Sequence, residues 1–268
     1  MGFRNREDLE RRSGELAQFC YLGDGIGVCR VLGEFKMFVN TNDLSLAPHL
    51  MMDGCWESWV SIAVSRIVQP GMVCIDVGAN FGYYTLLMGA LAGPNGGVWA
   101  IEPNDDMCTL LGDTVNINGM DQWVSIISGA AWNNDHKKLL IDNHGSEELM
   151  GSISVREPTI DLVTTDDLVG SITIDRLVGD NKIDFVKIDA EGAEPKILEG
   201  MVKTINNNPD IQILMEWSPD HDGFDEGFLN QIKSLFKVAR VNSASRLETI
   251  MSIDQLHGLE MLLLRKGD

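Results

Sequence analysis

The residues best able to do chemistry fall in four short stretches. The first is Asp76-Val77-Gly78-Ala79-Asn80-Phe81-Gly82, which follows an apolar run and precedes a helical pattern. Glycine lets a backbone approach a ligand closely and adopt positive φ. The first amides of the following helix would point at whatever binds there. A turn of this kind can also be a plain connection. Its Gly-x-x-x-Gly spacing lacks the extra glycine of the Gly-x-Gly-x-x-Gly dinucleotide binders, so it disfavours a pyrophosphate. The second stretch is Trp99-Ala100-Ile101-Glu102-Pro103-Asn104. An acid at the carboxyl end of the second strand can accept both hydroxyls of a ribose; the alternative is a solvated loop acid.

The third stretch, Asp184 to Glu194, gathers Asp189, Glu191 and Glu194 behind one apolar strand. Ligands of open α/β sheets sit at that edge. Such acids could orient a hydroxyl, take its proton or hold a divalent ion. Glu194 reads more simply as an acid at a helix N-terminus, favoured by the dipole. The fourth stretch, Leu214 to His221, ends a strand with Glu216 and carries His221, whose imidazole could serve as general base or stand solvated in a loop. His49, His136, His144 and His257 have no such context.

These acids need strands that end together. Met72–Val77, Val98–Ile101, Val124–Ile127, Phe185–Ile188 and Ile211–Trp217 are continuous apolar runs. They alternate with helical patterns at Tyr83–Leu91, Asp105–Ile117, Glu194–Ile205 and Phe224–Phe236. That order predicts a parallel sheet covered on both faces. Val238–Val241 and Met261–Leu264 are two further strands, the last an antiparallel hairpin partner. Before the sheet, residues 1–20 read as a charged helix, 26–50 as short antiparallel strands, and Glu57–Val68 as a helix ended by Pro70-Gly71. Residues 1–68 therefore form an extension and 69–268 the main domain. An insertion at about 130–170 holds hairpin strands Lys138–Ile141 and Ile153–Val155. Its polar loop, Asn143–Gly151, either lies over a pocket or is plain surface.

The 44% hydrophobic content suits a globular chain with a sizeable core. No run approaches the ~18 apolar residues of a membrane span, and Met1–Ser13 lacks the apolar core of a secretory signal. A net charge of −19 repels phosphate backbones, so no nucleic-acid partner is expected. Five cysteines without a CxxC argue against a disulfide framework or structural zinc and for a reducing, cytoplasmic setting.

In order and spacing, the stretches resemble the FkbM family of S-adenosylmethionine-dependent methyltransferases. The family's acid-Val-Gly-Ala-Asn-x-Gly turn is matched by Asp76–Gly82, its Glu-Pro-Asn by Glu102–Asn104, and its Lys-Ile-Asp-x-Glu-Gly-Ala-Glu by Lys187–Glu194. Gly54-Cys55-Trp56-Glu57 resembles the lead into its first helix, and Ile172–Leu177 its strand before the last block. The likeness runs from about residue 50 to 217. It implies a Rossmann-like, seven-stranded class I methyltransferase sheet with the final strand antiparallel. It also implies S-adenosylmethionine as cofactor and O-methylation of a sugar (glycan) or natural-product-type small molecule. Carried over, Asp76, Gly78, Asn80 and Gly82 hold the methionine part, with Thr85 and Glu57 at its carboxylate and amine. Glu102 takes the ribose, and Asn104 and Ala130 border the adenine. Asn80 stands where the general class I turn has a glycine, as is usual within the family.

The chemistry then requires a hydroxyl placed about 3 Å from the methyl carbon, in line, and a group to take its proton. Asp189 is the first candidate, with Glu216 and His221 behind it. A magnesium-like ion on Asp189 and Glu216 would serve instead by lowering the hydroxyl's pKa. Two other classes stay open: an NAD-type Rossmann oxidoreductase, and a non-catalytic partner-binding protein on the same fold. Oligomeric state is not readable from the sequence.

Overall fold

Eight strands between residues 73 and 265 form one sheet, and its order decides which loops meet. The structure is a computed structural model, describing residues 2–143, 153–157 and 168–267. The parallel centre is β4 (Val73–Val77), β5 (Gly97–Glu102), β6 (Val124–Ser128), β11 (Phe185–Ile188) and β12 (Gln212–Trp217). Beyond β12 come β15 (Glu260–Arg265), β13 (Lys237–Val241) and a short edge strand, β14 (Leu247–Thr249). The order is β14-β13-β15-β12-β11-β4-β5-β6. β15 runs antiparallel to both β12 and β13. Seven of these strands are the expected ones; the eighth, β14, pairs antiparallel with β13.

Side chains alternate across a strand, and this divides the core in two. Cys74, Phe185, Leu214 and Leu263 enter the core on one face. Ile75, Val186, Ile213 and Leu262 enter the core on the other. The first face is covered by α3 (Ser58–Ile67), α4 (Tyr83–Ala92) and α5 (Asp105–Ile117). The second is covered by α6 (Ile174–Val178), α7 (Glu194–Glu199), α8 (Val202–Asn207) and α9 (Glu226–Leu235).

The N-terminal segment joins the first core. It comprises α1 (Arg6–Leu16), a sheet of β1 (Phe19–Gly23), β2 (Ile26–Val31) and β3 (Phe35–Asn40), and α2 (Ala47–Met52). β3 leans on α5, where the Phe38 amide donates to Thr114 Oγ1 at 3.0 Å. The insertion forms a second small sheet from β7 (Ala130–Ala131), β8 (Lys138–Asn143), β9 (Ile153–Arg156) and β10 (Leu168–Ile172), in the order β7-β10-β8-β9. The expected loop beyond Asn143, with His144, lies outside the described residues.

Four segments depart from expectation, each for a local reason. The leading helix stops at Leu16, and Phe19 onward pairs with β2 as a strand. Within 26–50, Ala47 starts α2 because the buried Asp43 carboxylate accepts from the amides of Ser45, Leu46 and Ala47. At 172–177 the strand ends at Ile172, and Thr173 caps α6 by accepting from the Arg176 amide. The single helix expected over Glu194–Ile205 is two. Gly200 abuts the Trp132 carbonyl, where a Cβ would lie 2.0 Å away. Asp175 then accepts from the amides of Lys203 and Thr204 and starts α8 afresh.

Candidate functional site

The carboxyl ends of β4, β5, β11 and β12 meet at one edge, around a cavity of about 340 Å³. Strand register sets its floor. Lys187 of β11 stands opposite Asp76 of β4 on the same face. Both side chains are buried. Lys187 Nζ donates to Asp189 Oδ2 at 2.9 Å and lies 4.5 Å from the centre of the Tyr84 ring. Burial pulls the Lys187 pKa down, but Asp189, Asp76 and Glu57 outweigh it and the net shift is upward. The ammonium therefore stays charged in the floor.

Around this one cation the acids outnumber the bases. Asp76 accepts from Thr85 Oγ1 at 2.6 Å, while its other oxygen is buried without a partner among the described residues. Burial raises its pKa, against the pull of Lys187. Glu57 lies at φ 36°, ψ 60°, just before α3, and accepts from the Tyr84 hydroxyl at 2.8 Å. A non-glycine residue in that left-handed region is strained, and such strain clusters at functional sites. Burial and the Asp189 charge push the Glu57 carboxyl up to about 7. Burial, then Asp189, Glu194 and Glu191, push Glu216 up to about 9. Its Oε2 is buried and lacks a partner among the described residues.

The turn after β4 is shaped by close approach. Gly78 has φ +75°, and a Cβ there would sit 1.8 Å from the Asp189 carbonyl oxygen. No side chain fits. The turn is drawn to β5 by the Gly78 and Ala79 amides, which both donate to the Ile101 carbonyl. At the end of β5, Glu102 is 4% exposed and accepts from the amides of Asn80 (2.9 Å) and Asn104 (3.0 Å). Burial pushes its carboxyl up to about 7 despite those two bonds. Each carboxylate oxygen has lone pairs left for a diol.

A family model described as the methyltransferase FkbM domain matches residues 76–258, more than half of the chain. The chain belongs to the FkbM methyltransferase family. It is an S-adenosylmethionine-dependent methyltransferase. No curated protein matches the sequence. Similar solved structures include a methyltransferase from Geobacter sulfurreducens (14% identity, TM-score 0.46, covering 80% of this chain and 80% of that one). A rRNA methylase from Streptococcus thermophilus (10%, 0.46, 78% and 95%) and a SAM dependent methyltransferase from Aquifex aeolicus (16%, 0.41, 74% and 84%) are others.

The methyltransferase's cavity wall includes Glu57, Gly78, Asn80, Glu102, Ala130, Asp189 and Glu216, all anticipated from sequence. Asp76, Gly82, Thr85 and Asn104 stand behind the wall. Thr85 holds Asp76; Gly82 precedes α4; Asn104 caps α5 by accepting from the Asp106 and Met107 amides. His221 packs against Gly192 and does not line the cavity. Glu194 is fully buried and accepts from the Ala190 and Gly192 amides, which fixes the turn carrying Asp189. Among the described residues no three His, Cys, Asp or Glu side chains converge as a metal site, and no helix is long and apolar enough to cross a membrane. Sequence reasoning gave no role to Lys187 or Tyr84. A lysine inside the apolar run Phe185-Val186-Lys187-Ile188 was the available signal, because lysine is almost never fully buried unpaired.

Proposed function

We propose that the enzyme is an O-methyltransferase acting on a hydroxyl of a sugar or natural-product-type small molecule, with Asp189 as the group that takes the proton. The observation that carries this is the Asp189 carboxylate, held by Lys187 on the wall of the cavity. Cofactor residues are proposed from the same wall. Glu102 would accept the ribose hydroxyls and Ala130 border the adenine. Glu57 and the Gly78–Asn80 turn would hold the methionine part. An acid-rich cavity fits a ligand that carries positive charge. S-adenosylmethionine supplies a methyl group already activated on a sulfonium.

The chain's own residues orient the acceptor and receive its proton. As the oxygen–methyl bond forms, the methyl–sulfur bond would break with its electron pair staying on sulfur, S-adenosylhomocysteine would leave as a neutral thioether, and the acceptor oxygen would give its proton to Asp189. Lys187 holds the Asp189 carboxylate in place. Glu216, protonated at neutral pH, would donate a hydrogen bond to the acceptor. His221, beside Gly192, would support the turn that carries that glycine. The cation beside Asp189 is the Lys187 ammonium, and this supports a mechanism without a metal ion on that carboxylate. A small-molecule acceptor and a cytoplasmic location are part of the proposal. The five cysteines, all free, support the latter.

The test is transfer of labelled methyl to a panel of glycosides and natural-product alcohols. Asp189→Asn should cut transfer by about 100-fold or more and leave S-adenosylhomocysteine binding nearly unchanged. A chelator should leave the wild-type rate unchanged. Full activity of Asp189→Asn would remove it from the mechanism, and product labelled on nitrogen or carbon would exclude O-methylation.

A further inference from the structure

A second cavity, of about 750 Å³, lies beside the first. The two share four wall residues: Trp56, Glu57, Glu216 and Leu259. A molecule in the second cavity can therefore present one group at the junction, where Glu57 and Glu216 stand. The far wall belongs to α1, with Glu10 and Gly14, and to Trp59 at the start of α3. Two tryptophans, Trp56 and Trp59, line the second cavity.

The charge of this wall is one-sided. Glu10, Asp53, Glu57, Glu216 and Glu260 line it, and no lysine or arginine does. Arg6 and Arg240 pair with Glu10 and Glu260 from outside the wall. Arg6 also lies over the Trp59 ring, 5.6 Å from its centre. Glu216, protonated at neutral pH, has its Oε2 buried at the junction without a partner among the described residues, and its carboxyl can donate to a neutral hydroxyl there. His49 is also on the wall, 3.4 Å from Asp53. An anion entering would meet the Glu10, Asp53, Glu57 and Glu260 carboxylates and find no lysine or arginine on the wall to bind. Repulsion of this kind discriminates between otherwise similar ligands.

We propose that the second cavity is the acceptor's binding site, and that it takes a hydroxyl-bearing molecule free of phosphate, sulfate and carboxylate groups. This rests on the reading of the first cavity as the cofactor site. Its far end can be closed without touching that site. Gly14 lies inside α1, and a Cβ there would meet nothing within 4 Å. Gly14 is part of the cavity wall, so Gly14→Phe adds a ring there on a helical backbone that phenylalanine adopts without strain.

The experiment uses the full chain, labelled with fluorotryptophan and saturated with S-adenosylhomocysteine. Its six tryptophans give six fluorine NMR signals, assigned by Trp56→Phe and Trp59→Phe. Three matched probes are titrated: glucosamine, glucose and glucuronate, up to about 100 mM, where even millimolar-range binding registers. Glucosamine and glucose should shift the Trp56 and Trp59 signals. Glucuronate should bind at least about tenfold more weakly, and Gly14→Phe should abolish all three responses. Glucuronate binding as tightly as glucose overturns the ligand class. Responses that survive Gly14→Phe, or no response to any probe, overturn the site. Calorimetry with S-adenosylhomocysteine alone, on wild type and Gly14→Phe, checks the cofactor reading separately. If that ligand fails to bind wild type, the cofactor reading falls, while the probe titration of the free protein still reports on the second cavity.

Discussion

At the scale of single residues, the site is an arrangement of acids around one buried cation. Glu102 shows how specific the demands are. Its two oxygens accept from the Asn80 and Asn104 amides. In Glu102→Gln one of those amides would face an NH₂ group, and the diol would lose one acceptor. A lost charge-assisted bond costs about 1.5–3 kcal/mol. S-adenosylhomocysteine affinity should fall about 10- to 100-fold by calorimetry; an unchanged affinity would remove Glu102 from the ribose site. Lys187 makes a different prediction. Lys187→Met removes the cation that pairs with Asp189 and withdraws its charge from Asp76 and Glu57. The acid limb of the pH–rate profile should move to higher pH, because Asp76 and Glu57, whose carboxyl pKa values Lys187 pulls down, then ionise later. A purely structural lysine would lower stability and leave that limb in place.

At the scale of elements, turns and caps do the positioning. The Gly78 turn is the tightest, since its backbone passes against the Asp189 carbonyl. Gly78→Ala meets both a left-handed φ and a clash with backbone, so it should lower the melting temperature by several degrees and abolish cofactor binding together. Asp175→Ala tests a remote cap. It frees the amides of Lys203 and Thr204 at the start of α8. The expected loss is about 1–2 kcal/mol in denaturant unfolding, with transfer kinetics at native conditions unchanged. These same features mark the limit of what the sequence discloses. The apolar runs of β4, β5, β11 and β12 are legible because strands buried on both faces read as continuous hydrophobics. Glu102, Asp189 and Glu216 are legible because they end those runs. The division between α7 and α8 is not, because it depends on Gly200 meeting the Trp132 carbonyl, far away in sequence. The short α2 is hidden for a similar reason: its start relies on a buried Asp43 that reads as an ordinary turn acid. Thr85 and Asn104 are legible as candidates for the site, yet which of them faces a ligand depends on packing. Thr85 turns inward to Asp76, and Asn104 turns back to cap α5.

At the scale of the whole molecule, the buried acids make stability a function of pH. Glu102 and Glu194 have an ordinary value of 4.5 and are both pushed up to about 7, chiefly by burial. Glu57 reaches about 7 and Glu216 about 9. Below the ordinary value, folded and unfolded chains both hold these protons. Between that value and about 7 the folded chain holds them and the unfolded chain does not. Stability contributed by these groups is therefore full at low pH and lost as pH rises through the window, with Glu216 extending it upward. The net charge of −19 adds self-repulsion in the same direction. Asp8 and Glu248, whose pKa values are lowered by exposed hydrogen bonds, oppose it only weakly because water screens them. Without ligand, the melting temperature should fall by roughly 5 °C or more between about pH 5.5 and 8.5. A positively charged ligand favours the ionised acids, so the rise in melting temperature on adding S-adenosylmethionine should grow across the same range. Differential scanning fluorimetry at a fixed excess of ligand measures both slopes. A ligand-free melting temperature that stays flat or climbs would mean that these carboxylates ionise in the folded protein without cost, and the electrostatic account of the cavity would fail with it.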